Sequence, residues 1–204
     1  KMYEAIASAN SVLNVTDGLT TIPEESLKKA QAEARFIRSV SYYYLLNLFG
    51  PTPIIEIPKG ASPDEIEQIG KSTPRASLED FIKYLVADLT FAAENLPVEE
   101  NPIGKATKGA ALSVLTKLYM HEKDWENAAA TAQKVIDLNY YSLYADYKKM
   151  FSVDGEDNKE YIYRAPCIAQ TGYHNNYMPH AFPPNYPIQS NWINFGAQFR
   201  TYTA

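Results

Sequence analysis

Apolar and small residues recur at steps of three and four along residues 21–53, which is the spacing of one buried face of an α-helix. Thr21 and Glu24 have the spacing of a capping box, and Pro23 between them suits a first helical turn. Gly50, directly before a proline, predicts the end of the helix. A helix of about seven turns is therefore expected. Its predicted inward positions are Leu27, Ala30, Ala34, Ile37, Ser41, Tyr44, Leu45 and Leu48.

The same periodicity predicts a short helix over residues 2–14 and a longer one that opens at Ser77 and ends at the next proline. Prolines bias the residues before them away from helix, so residues 51–58 are expected to be extended. Residues 59–75 are rich in Pro, Ser and Gly and are predicted to form a loop with one short turn near residues 64–69.

A helix pair follows, over residues 107–121 and then from Asp124 as helix cap. The first helix opens on small residues at 109–111, which would let another backbone approach closely. Placing Ala128 at the small position of a second repeat helix puts three residues of the first helix on tetratricopeptide positions, namely Leu115, Thr116 and Tyr119. The pair is thus predicted to be a tetratricopeptide-like unit. An ordinary helical hairpin is the alternative.

The composition changes after residue 139. Tyrosines crowd the exit of the last helix, and residues 160–163 read as a short strand. From residue 170 onward Arg200 is the one certain charge, and long irregular segments in compact proteins are usually functional or disordered. Eight aromatic residues there favour burial over disorder. The predicted division is a helical body over residues 1–139 and a loop-rich aromatic segment over residues 140–204, incomplete at its carboxyl end.

This terminal segment carries the candidate binding residues. Sugars present flat C–H faces to aromatic rings, and their hydroxyls pair with planar amides, tyrosine hydroxyls or arginine side chains. The predicted ring platforms are Trp192, Tyr173, Tyr177 and Tyr186, and the predicted hydrogen-bonding groups are His174, Asn175, Asn176 and Asn191. The competing interpretation is that these aromatic residues only anchor the loop to the helical body.

Composition excludes several classes of protein. A net charge of −5 gives no sign of nucleic-acid binding. Cys167 is the single cysteine, so the chain has no internal disulfide and no Cys-x-x-Cys site. No apolar run approaches the roughly 20 residues of a membrane span, and no signal peptide is visible. The chain is interpreted as an interior piece of a longer protein.

Catalysis and metal binding have little support in the sequence. A glycosidase needs two carboxylates held across a bond, but the acidic pair at residues 99–100 and the acidic cluster at 154–157 lie in polar loops and are expected to be solvated. No hydrolase motif such as Gly-x-Ser-x-Gly is present. His174 and His180 match no common zinc spacing. The sequence therefore implies no cofactor and no enzyme activity.

Residues 32–55 resemble the signature helix of the SusD/RagB family. The family pattern is Ala-Glu-Ala-x-Phe-Leu-Arg-Ala, an aromatic run, then Leu-x-x-x-Gly-x-x-Pro and apolar residues. Here it is filled by Ala32, Glu33, Ala34, Phe36, Arg38, Tyr42, Tyr43, Tyr44, Leu46, Gly50, Pro53 and Ile54. Core packing is favoured over ligand contact for the tyrosine run. Residues 104–137 resemble the second signature region of the same family.

The resemblance implies a mainly α fold of irregular tetratricopeptide-like repeats, with a loop-rich portion containing short strands. Family members are lipid-anchored at the outer surface of Bacteroidetes-type bacteria. They bind glycans or other nutrients and pass them to a TonB-dependent outer-membrane transporter. For this chain the resemblance implies an oligosaccharide or a starch-like polysaccharide as ligand, a SusC-like transporter as partner, and a lipid anchor outside this piece. The alternatives are a peptide-binding member of the family, a helical scaffold for protein partners, and a fragment of an enzyme.

Overall fold

The chain forms a helical body in a computed structural model that describes residues 2–99, 104–150, 152 and 155–164. No β-strand occurs within these ranges. The predicted mainly α fold is therefore confirmed. The helices are α1 Met2–Thr16, α2 Glu24–Phe49, α3 Pro63–Ser72, α4 Leu78–Asn95, α5 Lys108–His121, α6 Trp125–Asp137 and α7 Tyr147–Met150.

Successive long helices pack on one another, α1 on α2, α2 on α4, α4 on α5 and α5 on α6. Helix α3 packs against no other helix in the described part of the chain. Helix α2 lies between α1 and α4 and contributes the two largest side chains of the core. The core is formed mainly by Phe36, Tyr42, Phe81, Leu85, Leu89, Ala111 and Leu118.

The predicted length of α2 is confirmed, but its predicted start is wrong in detail. Pro23 is the N-cap residue, and no side chain caps the helix there. Thr21 lies two residues before this cap, so the capping box fails, and Glu24 instead pairs with Lys28 at 2.6 Å. At the other end Gly50 has a φ of 72°, and its amide donates to the carbonyl of Leu46.

The predicted inward face of α2 is only partly correct. Ala34, Ser41 and Leu45 are buried, whereas Ile37, Tyr44 and Leu48 are exposed. Because α2 is packed between two helices, residues on a broad arc are buried, and this arc includes Phe36, Arg38, Ser39 and Tyr42. The tyrosine run divides accordingly, with Tyr42 fully buried, Tyr43 half-buried and Tyr44 exposed.

The loop predicted over residues 59–75 contains the ten-residue helix α3 rather than one short turn. Its start is a complete capping box, in which the Ser62 hydroxyl accepts from the Glu65 amide and the Glu65 carboxylate accepts from the Ser62 amide. The predicted cap of α4 is confirmed, because the Ser77 hydroxyl accepts from the Asp80 amide at 3.0 Å.

The predicted helix pair is present as α5 and α6, with Asp124 capping α6 through the amide of Asn127. Leu115 and Ala128, the positions chosen for the repeat, are both buried, which is consistent with a tetratricopeptide-like unit. Trp125 and Ile136 are exposed on the outer surface of α6.

The short strand predicted over residues 160–163 is wrong. No ladder forms there, and the backbone amide of Glu160 donates to the side-chain oxygen of Asn158 at 2.8 Å. The Glu160 carboxylate accepts from the Tyr144 amide at 2.6 Å, and the Tyr161 hydroxyl donates to the carbonyl of Met150 at 2.7 Å. Residues up to Arg164 belong to the same compact unit as the helices. The predicted division of the chain after residue 139 stays a prediction.

Candidate functional site

Arg38 of the signature helix forms a buried ion pair with Asp88 of α4 inside the helical body. The Arg38 guanidinium donates to both carboxylate oxygens of Asp88, at 2.8 and 3.0 Å, and to the side-chain oxygen of Asn10 at 2.7 Å. Arg35 reaches the same carboxylate at 3.2 Å. Burial acts to lower the pKa of Arg38, but its bond to Asp88 and the charge of that residue outweigh burial and raise the pKa. This cluster ties α1, α2 and α4 together.

Tyr42 and α1 fix the extended segment that follows the signature helix. The Ile55 amide donates to the Tyr42 hydroxyl at 2.8 Å, and the Asn10 side-chain amide donates to the Ile55 carbonyl at 2.7 Å. Asn14 holds the carbonyl of Ile57 in the same way at 2.8 Å. Burial raises the pKa of Tyr42 to about 12, so the phenol is neutral at ordinary pH.

A cleft of about 330 Å³ lies on the body where the α4–α5 connection meets the chain that leaves α6. We call it the tyrosine cleft, because four tyrosines contribute to its wall. Its lining is Val98, Glu99, Gly104, Lys105, Thr107, Tyr140, Tyr141, Asp157, Tyr161, Ile162, Tyr163 and Arg164.

Two helices support the rings of the tyrosine cleft. The Tyr141 ring lies over Gly109 of α5, where a Cβ atom would be 2.2 Å from the phenol oxygen. Gly109, one of the three small residues that were expected to let another backbone approach, thus accommodates an aromatic side chain. Tyr163 packs edge-on against Phe36 of α2, with ring centroids 5.2 Å apart. Tyr140 stands perpendicular to Tyr141 at 5.1 Å.

The described lining of the cleft includes two acidic and two basic residues, namely Glu99, Asp157, Lys105 and Arg164. Arg164 donates to Asp157 at 3.3 Å, and its guanidinium lies 5.5 Å from the centre of the Tyr161 ring. The ammonium of Lys159 lies 4.6 Å from the centre of the Tyr140 ring. Burial, and then a hydrogen bond with Glu99, raise the pKa of Tyr140. The lining therefore offers phenols, carboxylates, a guanidinium and the ammonium group of Lys105.

Comparison with known proteins establishes the family. The SusD-like family model, described as starch-binding and associating with the outer membrane, matches residues 1–120. The chain belongs to the SusD-like family. The SusD-like protein P25 of Formosa agariphila is 30% identical over 164 residues, which are 79% of this chain and 30% of that protein. The starch-binding protein SusD of Bacteroides thetaiotaomicron is 29% identical over 161 residues, 76% of this chain and 27% of SusD.

Solved structures agree with the SusD-like assignment. A SusD-like carbohydrate-binding protein of Bacteroides fragilis superposes with a TM-score of 0.72 and 27% identity, covering 88% of this chain and 34% of that one. A structure with xylogluco-oligosaccharide superposes with a TM-score of 0.72 and 27% identity, covering 88% of this chain and 37% of that one. The chain spans less than a third of each of the two curated relatives. The chain therefore corresponds to one part of each of these SusD-like proteins.

In this SusD-like chain the signature residues stabilise the fold. Arg38 joins α2 to α4, and Tyr42 binds the extended segment that follows α2. Gly50, with its positive φ, permits the turn between α2 and that segment. The acidic partner Asp88 was missed by sequence reasoning. Its one sequence signal is a carboxylate between the apolar residues of α4, which is unusual for a buried helix face.

The residues predicted to bind ligand lie outside the described part of the chain. They are Tyr173, His174, Asn175, Asn176, Tyr177, Tyr186, Asn191 and Trp192. The described lining of the tyrosine cleft consists of other residues, among them Tyr140 and Tyr141, two of the tyrosines that follow α6. Among the described residues, no group of histidines, cysteines and carboxylates could hold a metal ion. No described helix is long and apolar enough to cross a bilayer.

Replacing Gly109 with alanine is expected to lower the free energy of unfolding by about 1 to 3 kcal/mol. The new methyl group would meet the phenol end of Tyr141, so the whole ring must leave its place and the cleft must change shape. The matched control is Gly70→Ala in α3, where a Cβ meets nothing within 4 Å and alanine should be neutral or stabilising. Urea unfolding of both variants tests this, and equal stabilities would contradict the placement of Tyr141.

Proposed function

We propose that this protein captures an oligosaccharide or a starch-like polysaccharide at the cell surface without chemical change. The observation that supports it best is family membership, together with a 27% identical relative whose structure holds xylogluco-oligosaccharide. The starch-binding SusD of Bacteroides thetaiotaomicron adds to the same inference. Capture needs complementary surface alone, so neither cofactor nor catalytic carboxylate is required.

The ligand-binding residues of this proposal are those of the terminal segment. Trp192, Tyr173, Tyr177 and Tyr186 supply aromatic platforms, and four neighbours supply hydrogen bonds, namely His174, Asn175, Asn176 and Asn191. A sugar needs rings to stack against and polar groups to pair with its hydroxyls. This segment is rich in aromatic and amide side chains and carries almost no charge.

The partner in this proposal is a SusC-like TonB-dependent transporter in the outer membrane, which receives the captured glycan. A lipid anchor on the full-length protein would hold it at the cell surface beside the transporter. The family description, which places its members with the outer membrane, supports this location. Pull-down of the full-length protein from detergent-solubilised membranes should recover a TonB-dependent transporter, and recovery of no transporter would argue against the partnership.

Affinity gel electrophoresis tests glycan capture directly. The full-length protein is run through native gels that contain starch, xyloglucan, laminarin or no polysaccharide. We expect at least one glycan to retard migration relative to the gel without polysaccharide. Unchanged migration in all gels would contradict glycan capture and favour a peptide cargo or a scaffold for protein partners.

A further inference from the structure

We propose that the tyrosine cleft is a second binding site for a neutral sugar, separate from the terminal residues proposed above. This inference rests on the proposed glycan capture, because the sugar bound here would belong to the same class of ligand. The described lining of the cleft lies within the helical body and its connections.

The size and support of the cleft suit a short stretch of sugar chain. Its volume of about 330 Å³ falls at the lower end of the range usual for small-molecule sites. Two of its tyrosines pack against helices, Tyr163 against Phe36 of α2 and Tyr141 over Gly109 of α5. A site built on such elements loses little freedom when a ligand binds.

The balance of charges in the described lining favours a ligand without net charge. Two acidic residues, Glu99 and Asp157, stand against two basic ones, Lys105 and Arg164, and Arg164 donates to Asp157 at 3.3 Å. A charged ligand would meet side chains of its own sign as well as of the opposite sign. A neutral polyol can instead use the lone pairs and N–H groups that these side chains leave available, since a carboxylate accepts about four hydrogen bonds and a guanidinium donates five.

Tyr163 is the ring best placed to stack against a sugar. Cations lie over the rings of Tyr140 and Tyr161, whereas the ring of Tyr163 contacts Phe36 edge-on. Tyr163 keeps 39% of its surface exposed. Asp157 and Arg164, with side-chain exposures of 87% and 24%, lie in the same lining and can pair with sugar hydroxyls.

Hydrogen exchange measured by mass spectrometry tests the site on the full-length protein. The probes are maltoheptaose, laminarihexaose and a xyloglucan heptasaccharide. We expect one of them to slow amide exchange in peptides that cover residues 140–141 and 157–164. The protection should persist in Trp192→Ala, because the second site does not include that residue.

Variants within the cleft complete the test. Tyr163→Ala should weaken binding at the cleft roughly tenfold, the equivalent of one aromatic contact, and Tyr163→Phe should restore most of it. Asp157→Ala should reduce the protection as well, and its exposure makes loss of folding a poor explanation. Leu143→Ala, exposed and outside the lining, is the matched control and should leave the protection unchanged.

The outcomes separate this proposal from the proposed function. If a glycan retards the protein in gels but no probe protects the cleft peptides, the second site is wrong and glycan capture stands. Protection that survives both Tyr163→Ala and Asp157→Ala also overturns the site. If no glycan retards the protein and no probe protects the peptides, both proposals are wrong.

Discussion

Replacing Asp88 with alanine is expected to lower the free energy of unfolding by about 3 to 5 kcal/mol. The Asp88 side chain is 3% exposed and accepts bonds from both Arg38 and Arg35. Its removal leaves the Arg38 guanidinium, itself 10% exposed, without its counter-charge inside the body. A buried charge that loses its partner retains the full cost of its desolvation, so the effect should exceed that of losing a surface ion pair.

Two further variants make this prediction specific. Glu94→Ala removes an exposed carboxylate from the same helix, α4, and should change the free energy of unfolding by no more than about 0.5 kcal/mol. The double variant Arg38→Met with Asp88→Leu removes both charges and should be more stable than Asp88→Ala alone. Chemical denaturation measures all three, and a loss below about 1 kcal/mol for Asp88→Ala would contradict the buried pair.

Replacing Phe36 with alanine is expected to cost about 3 to 5 kcal/mol. Phe36 is fully buried in the core, so the substitution leaves a cavity as well as losing transfer free energy. It also removes the ring against which Tyr163 packs. We therefore expect Tyr163 to lose its fixed position, which the near-ultraviolet circular dichroism of the tyrosines would report.

The neighbouring residue on α2 provides the control. Ile37 is 38% exposed, although the spacing of apolar residues predicted it to face inward. Ile37→Ala should therefore cost no more than about 1 kcal/mol, and the ratio of the two effects decides which face of α2 is buried. Similar losses for Phe36→Ala and Ile37→Ala would show that the helix is rotated from its position in the structure.

Local signals in the sequence predicted most helices correctly. Ser77, Thr107 and Asp124 each cap the helix that was expected to begin there, because a cap depends on a hydroxyl or carboxylate and amides within three residues. Gly50 ends α2 for an equally local reason, its positive φ. Such features need no knowledge of tertiary contacts.

Features that depend on tertiary contacts were missed or misplaced. The broad buried arc of α2 results from the packing of this helix between α1 and α4. The periodicity of apolar residues along one helix does not reveal how many helices pack against it. The burial of Asp88 depends on its ion pair with Arg38, which lies 50 positions away in the sequence. The cleft likewise joins residues near 99, 141 and 163, and tertiary contacts such as the packing of Tyr141 on Gly109 and of Tyr163 on Phe36 bring these stretches together.

The two tryptophans of the chain allow the central claim, glycan capture through the terminal segment, to be measured directly. The measurement is titration calorimetry of the full-length protein with the glycan that retards it most, in the wild type, Trp192→Ala and Trp125→Ala. Trp125 is exposed on α6 and serves as the matched control. We predict that Trp192→Ala weakens binding at least tenfold, the loss of one aromatic anchor, while Trp125→Ala binds as the wild type does. Equal affinities of all three proteins would contradict the placement of the binding site in the terminal segment.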